Sequence, residues 1–376
     1  MKLLPLEQVS HQMQAGQALP WGVRDANGKL LLARGHVLAD ANMVQTLLER
    51  GMFVDADEFG RSGGDNHPQK AKDGSLSSRW DGLQARLGTL LRSSTETYFL
   101  ERVRESVEHI AGLADRNTDL LIFMILRHDH TRYAHYGVVH SLHVASLCSL
   151  VARRLEWPAA RRDSLIGAAL TMNLSVLDLQ GRLAAQTTPL TPEQRKEIDG
   201  HTDASALLLR EAGLEDEEWL QAVEQHHEQS GGGGYPLALT EPTEASQLLR
   251  FVDCFTAKHS ARAGRTQQPA QQAARDLYTQ SKANPLAAVL IKEFGIYPPG
   301  CFVKLASGET AIVVKRGASA NTPVVAAITN RNGDALSQPI SRDTSQAAHA
   351  IAATVPDKAV LVRVNVDRLY DVRSDV

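Results

Sequence analysis

Four histidines and one aspartate in the middle of the sequence are the side chains best suited to metal chemistry: His140, His201, His226, His227 and Asp253. Neutral imidazole is a good ligand for iron, zinc and manganese, and a carboxylate brings the negative charge that a dication needs. His226 and His227 are adjacent and stand just before the glycine run Gly231–Gly234. Asp253 sits in the apolar stretch LLRFVDCFTAKH, where a carboxylate is tolerated only with a partner or a metal. Blander roles compete. A lone helical histidine is usually a surface or satisfied core residue, and paired histidines before a glycine run also suit the negative end of a helix dipole. Residue type alone leaves both open.

These side chains meet only if helices carry them to one place, and bundles do build metal sites from facing helices. The pattern over residues 79–295 is helical. Asn117, Thr118 and Asp119 offer caps ahead of the apolar block 120–126. Val144, Leu147, Cys148, Val151 and Leu155 recur at spacings of three and four, which places them on one buried face of the helix carrying His140. Pro158 opens the next helix, with Leu165, Ala168, Ala169 and Met172 along it. Thr191-Pro192-Glu193-Gln194 forms a capping box. The helix it opens is expected to run to Ala212, stopped by Gly213, with His201 midway. A further helix is expected from Glu217 to Gln229, ended by the glycines.

The two ends differ from this middle. Residues 1–60 read as a small α+β module. Strands Trp21–Arg24 and Lys29–Ala33 flank an Asn27-Gly28 turn. A helix from Ala39 to Arg50 turns Leu47 and Leu48 inward, and Met52-Phe53-Val54 returns as a strand. Residues 61–78 lack apolar periodicity and read as a linker. After Pro298-Pro299-Gly300 the strands Phe302–Leu305, Thr310–Lys315, Pro323–Thr329 and Ala359–Val366 are expected, with turns at Ser307-Gly308 and Asn332-Gly333. The expected fold class is mainly α: a helical bundle over 79–295, between the N-terminal α+β module and a small C-terminal β module over 296–376.

A net charge of -3 over 376 residues provides no global basic field for DNA, RNA or an anionic membrane. Arg153-Arg154 and Arg161-Arg162 are expected to be solvated helix faces. Cys148, Cys254 and Cys301 lie far apart with no CxxC pair, which excludes a disulfide framework or a cysteine zinc site and fits a reducing compartment. The opening MKLLPLEQ is interrupted by Pro5 and Glu7 too early for a secretory segment. The longest strongly apolar run, Leu120 to Leu126, is far short of the roughly 20 residues that span a bilayer. The expected location is cytoplasmic.

The stretch HHEQSGGGGYP, His226 to Pro236, resembles the HHExxDGxGYP signature of HD-GYP domains, a subgroup of the HD phosphohydrolases. Gly231 stands where that signature has Asp. Upstream, HSLHVASLCSLVARRL from His140 is similar to the family's first His-Ser helix, and PLTPEQRKEIDGHTDASALLL to its Leu-Thr helix, with His201 at a metal-ligand position. Downstream, FVDCFTAKHSARAGR resembles VxDxxDALTxxRPYR, with Asp253 at the ligand Asp, Thr256 in place of the second Asp, and Arg262 and Arg265 at the two Arg positions. The resemblance covers residues 120–295 and implies an HD-type helical bundle. The family's His-Asp-Ile-Gly-Lys segment falls on Met172-Asn173-Leu174-Ser175-Val176. The metal-ligand His becomes Met172, the metal-bridging Asp becomes Asn173, and the phosphate-reaching Lys becomes Val176.

The resemblance implies cyclic-di-GMP signalling by a degenerate member. Thioether sulfur is a poor ligand for the hard metals concerned, and Asn173 offers only a neutral carbonyl oxygen. The expected metal residues are His140, His201, His226, His227 and Asp253, in two halves. His201, His226 and His227 suffice for one divalent ion of iron, manganese or zinc; His140 with Asp253 is the half that the His-Asp pair would complete. Gly234, Tyr235, Pro236, Arg262 and Arg265 are expected to meet the nucleotide or a protein partner such as a diguanylate cyclase domain. Three functions stay open: binding with weak or no phosphodiesterase activity; an active phosphodiesterase with a reduced metal set; and a scaffold that binds neither metal nor nucleotide. The N-terminal module is compatible with ligand sensing, homodimerisation or partner binding.

Overall fold

The computed structural model describes residues 3–13, 19, 21–26, 28, 30–32, 47–48, 52–55, 76–128, 132–360, 362, 364 and 366–371. Its elements in order are β1 (Leu3–Pro5), a 3-10 turn (Leu6–Gln12), β2 (Val23–Arg24), β3 (Leu30–Leu32) and β4 (Phe53–Asp55). Twelve helices of the middle follow: α1 (Leu76–Leu90), α2 (Phe99–Arg116), α3 (Thr118–Leu126), α4 (Tyr136–Arg154), α5 (Ala159–Thr171), α6 (Leu177–Ala185), α7 (Pro192–Asp199), α8 (His201–Glu211), α9 (Glu217–Gln225), α10 (Glu244–His259), α11 (Ala270–Gln280) and α12 (Pro285–Phe294). The chain then forms β5 (Phe302–Leu305), β6 (Thr310–Lys315), β7 (Val324–Thr329), β8 (Ala335–Asp343), β9 (Ile351–Val355) and α13 (Val366–Asp371). The expected mainly helical class with small β modules is what forms.

Two compact units result. One comprises residues 78–301 with 313–323; the other comprises residues 1–77, 302–312 and 324–376. The expected single C-terminal module is thus divided, because Val313–Pro323 packs with the helices while the rest groups with the N-terminal residues. The last residues of the expected linker are helical, since α1 begins at Leu76. The expected helix Ala39–Arg50 lies outside the described residues except at Leu47 and Leu48, which are helical and pack against a small core of Leu6, Val9, Trp21, Val23 and Val54.

In the helical unit, α4 is the central rod. Residues 136–152 are buried on every side, so the expected single apolar face is a helix enclosed all round. Close approach of α5 and α9 depends on Gly167: a Cβ there would lie 2.3 Å from the Trp219 ring. Trp219 Nε1 donates to Thr171 Oγ1 at 2.8 Å, which locks that contact. The capping box is present, with Thr191 Oγ1 accepting from Gln194 N and Gln194 Oε1 accepting from Thr191 N. Its helix stops at Asp199, however, and a bend at Gly200 starts α8. His201 therefore opens a second helix instead of sitting midway along one. The next expected helix also ends early, at Gln225, so His226 and His227 occupy its terminal turn.

Arg153, Arg154, Arg161 and Arg162 are paired, contrary to the expected solvated faces. Arg154 meets Glu293 at 2.5 Å and Arg161 meets Glu218 at 2.7 Å and Glu244 at 2.9 Å, while Arg153 and Arg162 share Asp115.

The N-terminal sheet runs β1-β4-β2-β3 and the C-terminal sheet β8-β7-β6-β5-β9. The expected strands at Phe302, Thr310 and Pro323 form, the last from Val324. The expected strand Ala359–Val366 does not form among its described residues: Asp357–Ala359 is a 3-10 turn and α13 starts at Val366. The sheet is completed instead by β8 and β9, both edge strands with largely exposed side chains. Among the described residues, no helix is long and apolar enough to cross a membrane.

Candidate metal and ligand site

Two helix termini and the bodies of two further helices deliver the histidines and the aspartate. His201 is the first residue of α8, His226 and His227 follow α9, His140 lies in the second turn of α4, and Asp253 lies within α10. One ligand atom from each of His201, His226 and His227 lies within 4.8 Å of the others, and this is the one cluster of metal-binding side chains among the described residues. The rings pack together, with centroids 5.1 Å apart for His201–His226, 5.0 Å for His201–His227 and 4.3 Å for His226–His227.

Hydrogen bonding fixes the tautomers. His201 Nδ1 donates to Ile198 O at 2.5 Å and His226 Nδ1 donates to Val223 O at 2.7 Å. A neutral imidazole carries one N–H, so both Nε2 atoms present lone pairs. Those two Nε2 atoms face each other at 3.2 Å. Burial lowers the pKa of all three rings, His227 to about 4, and so disfavours a proton between them. Two buried lone pairs facing each other are satisfied by a cation. The 3.2 Å separation suits two nitrogens sharing one ion at bond lengths of ~2.0–2.1 Å. The residues present therefore fit a divalent ion.

His140 Nε2 donates to Asp253 Oδ1 at 2.6 Å, which gives the partly buried carboxylate its partner. Burial opposes ionisation of Asp253, yet His140 holds its pKa below the usual carboxylate range. The negative charge also raises the pKa of each of the other three imidazoles, against the stronger effect of burial. The two expected halves are thus electrostatically one site, with Asp253 shared between them.

Other positions divide. Met172 is fully buried in the hydrophobic core of the bundle, and Asn173 and Val176 are buried beside it in sequence. Ser175 Oγ donates to His201 O at 3.1 Å and its N–H donates to Ser205 Oγ at 3.2 Å, so this segment is pinned to α8. Thr256, aligned with the second Asp of the HD-GYP motif, is buried, and among the described residues its hydroxyl has no hydrogen-bond partner.

The loop after His227 is built by Glu228 and Gly234. Glu228 is fully buried, and its two carboxylate oxygens accept from Leu237 N at 2.6 Å and Leu239 N at 2.9 Å. A Cβ at Gly234 would lie 2.4 Å from Gln229 N and Glu228 Cα, so only glycine fits. The loop lays Tyr235 over His227, with ring centroids 4.7 Å apart and planes 12° apart, and leaves Pro236 and Leu237 exposed. Arg262 donates from Nε (3.1 Å) and Nη2 (2.5 Å) to the hydroxyl of Tyr136, whose ring stacks on His140 at 5.6 Å. Arg265 donates to Ala257 O. Sequence reasoning missed Tyr136 and the clamping role of Glu228. Tyr136 precedes His140 by four residues, and that spacing was the available signal.

Residues 105–284 match the family model described as HD domain. The Pseudomonas aeruginosa protein named cyclic di-GMP phosphodiesterase PA4108 is 24% identical over 227 residues, which is 58% of this chain. The chain spans about half the length of that curated relative (53%). The solved structure of Bd1817, a HDG"Y"P protein from Bdellovibrio bacteriovorus, aligns with a TM-score of 0.48 at 17% identity, covering 77% of this chain and 98% of that one. Over residues 105–284 the chain thus resembles HD domains, and among them the HD-GYP proteins.

Proposed function

We propose that this chain is a cyclic-di-GMP signalling protein that binds its nucleotide at a one-ion site and hydrolyses it weakly or not at all. The observation that carries this reading is the pair of inward lone pairs, His201 Nε2 and His226 Nε2, held 3.2 Å apart by backbone-anchored Nδ1 atoms. His201, His226 and His227 would hold the ion, and Asp253 would supply compensating charge. Bound there, a divalent ion offers Lewis acidity to a phosphoryl oxygen. Tyr235, fixed on His227 and partly exposed, offers a face to a nucleobase. Arg262, aimed by Tyr136, and Arg265 offer donors to phosphate.

Three substitutions favour binding over turnover. Met172 packs into the apolar core and is a poor donor to hard ions. Asn173 lacks the negative charge that bridges two cations. Val176 removes a cation from the place where phosphate charge develops. The exposed Pro236-Leu237 edge of the loop suits a protein partner such as a diguanylate cyclase domain.

The test uses one preparation of the full chain. Elemental analysis is expected to find one tightly held transition-metal ion per chain, and cyclic di-GMP is expected to bind. His227→Ala is expected to lose both. Two or more tightly held ions, or nucleotide affinity unchanged in His227→Ala, would overturn the reading.

A further inference from the structure

Away from the histidines, the helical unit contains an open groove of about 630 Å³ whose charged lining is Asp119, Arg153, Arg154, Lys292, Glu293 and Arg316. All six belong to that unit, because Arg316 lies on the Val313–Pro323 segment that packs with the helices. The volume is in the range of small-molecule pockets, roughly 300–1,000 Å³.

Both carboxylates in this lining are already engaged. Glu293, almost fully buried, accepts from Arg154 at 2.5 Å and from Arg316 at 3.1 Å. Asp119 accepts from Arg316 Nε at 2.6 Å. Four cations against two carboxylates leave a surplus of two positive charges. The C-termini of α4 and α12 end here and α3 begins here. Helix ends carry about half a charge each, so these three together remove only about half a unit of the surplus.

The surplus is located on Lys292 and Arg153. Lys292 is exposed and has no ion pair among the described residues. Arg153 is oriented by donation to Ala114 O at 2.6 Å and Thr118 Oγ1 at 2.5 Å, and its acidic neighbour Asp115, 3.6 Å away, is shared with Arg162. Tyr297, half-buried, and Ile296, 44% exposed, add an aromatic and an aliphatic surface to the same groove.

We infer that this groove is a second ligand site, distinct from the histidine centre, for a phosphate monoester carried on an aromatic body. Arg316 and Arg154 build the floor by neutralising Glu293 and Asp119. Lys292 and Arg153 hold the dianion, and Tyr297 holds the ring.

Phenyl phosphate, inorganic phosphate and phenol are the probes, titrated into the full chain by ligand-observed NMR and calorimetry. Phenyl phosphate is expected to bind more tightly than inorganic phosphate, to weaken with salt, and to outbind phenol, which lacks the charge. Lys292→Glu is expected to weaken phenyl phosphate by about tenfold or more, Lys292→Arg to retain it, and His227→Ala to leave it unchanged. Lys292 is exposed, so its variants fold. Absence of phenyl phosphate binding at millimolar concentration overturns the inference. So do equal affinities in wild type and Lys292→Glu, loss of binding in His227→Ala, and inorganic phosphate binding as tightly as phenyl phosphate.

Discussion

At the scale of single residues, the site rests on imidazoles kept neutral by burial and oriented by backbone carbonyls. This has a pH consequence. His227 has an ordinary value of 6.5 when unfolded and about 4 when folded, and His201 and His226 shift in the same direction. Between those limits the unfolded chain binds more protons, so the stability of metal-free protein falls as pH falls from about 6.5 toward 4. Asp253 is depressed below its ordinary 3.8, so its contribution is present above that value and is lost in stronger acid. Thermal melts against pH are expected to drop through the histidine window, and His227→Ala is expected to flatten that drop. Asp253→Asn removes the charge felt by all four histidines and is expected to weaken metal binding by roughly 10–100-fold, measured by competition with a chelator. The identities of these residues were legible in the sequence because a long motif names them. Their tautomers were not, since those depend on Ile198 O and Val223 O, which become partners only once α7, α8 and α9 have ended where they do.

At the scale of elements, what mattered was where helices stop. The capping box at Thr191 was legible because it is a local pattern. The bend at Gly200 was not, because a glycine costs a helix only about 1 kcal/mol and tertiary contacts decide whether the helix continues. That bend gives His201 its carbonyl partner. The loop from Gln229 to Leu239 depends on Glu228 in the same way. Glu228→Gln keeps one acceptor oxygen and faces the other backbone N–H with a donor, which is expected to cost ~1–3 kcal/mol in denaturant unfolding. Gly234→Ala must displace backbone that would lie 2.4 Å from its Cβ, and is expected to lower nucleotide binding with the metal retained. The edge strands β8 and β9 were missed because their side chains face solvent on both sides and lack alternation; Pro339 in β8 is tolerated at an edge.

At the scale of the whole molecule, the mainly helical middle and the two small sheets follow from periodicity, whereas the division into units does not. The segment Val313–Pro323 joins the helices through Arg316, which bridges Glu293, 23 residues away in the chain, and Asp119, 197 residues away and beyond any local pattern. Arg316→Ala leaves Glu293 with Arg154 alone and is expected to lower stability by ~1–3 kcal/mol. The proposed binding of cyclic di-GMP with weak or no hydrolysis depends on Met172-Asn173, which lacks the His-Asp ligands of a multi-metal centre, and on the three histidines His201, His226 and His227, which remain. The most direct measurement compares cyclic di-GMP turnover by metal-loaded wild type with the Met172→His/Asn173→Asp double variant, nucleotide binding being recorded on the same samples. Binding by both proteins, with turnover by the double variant at least tenfold faster than by wild type, is the predicted result. Wild-type turnover equal to that of the double variant would contradict it.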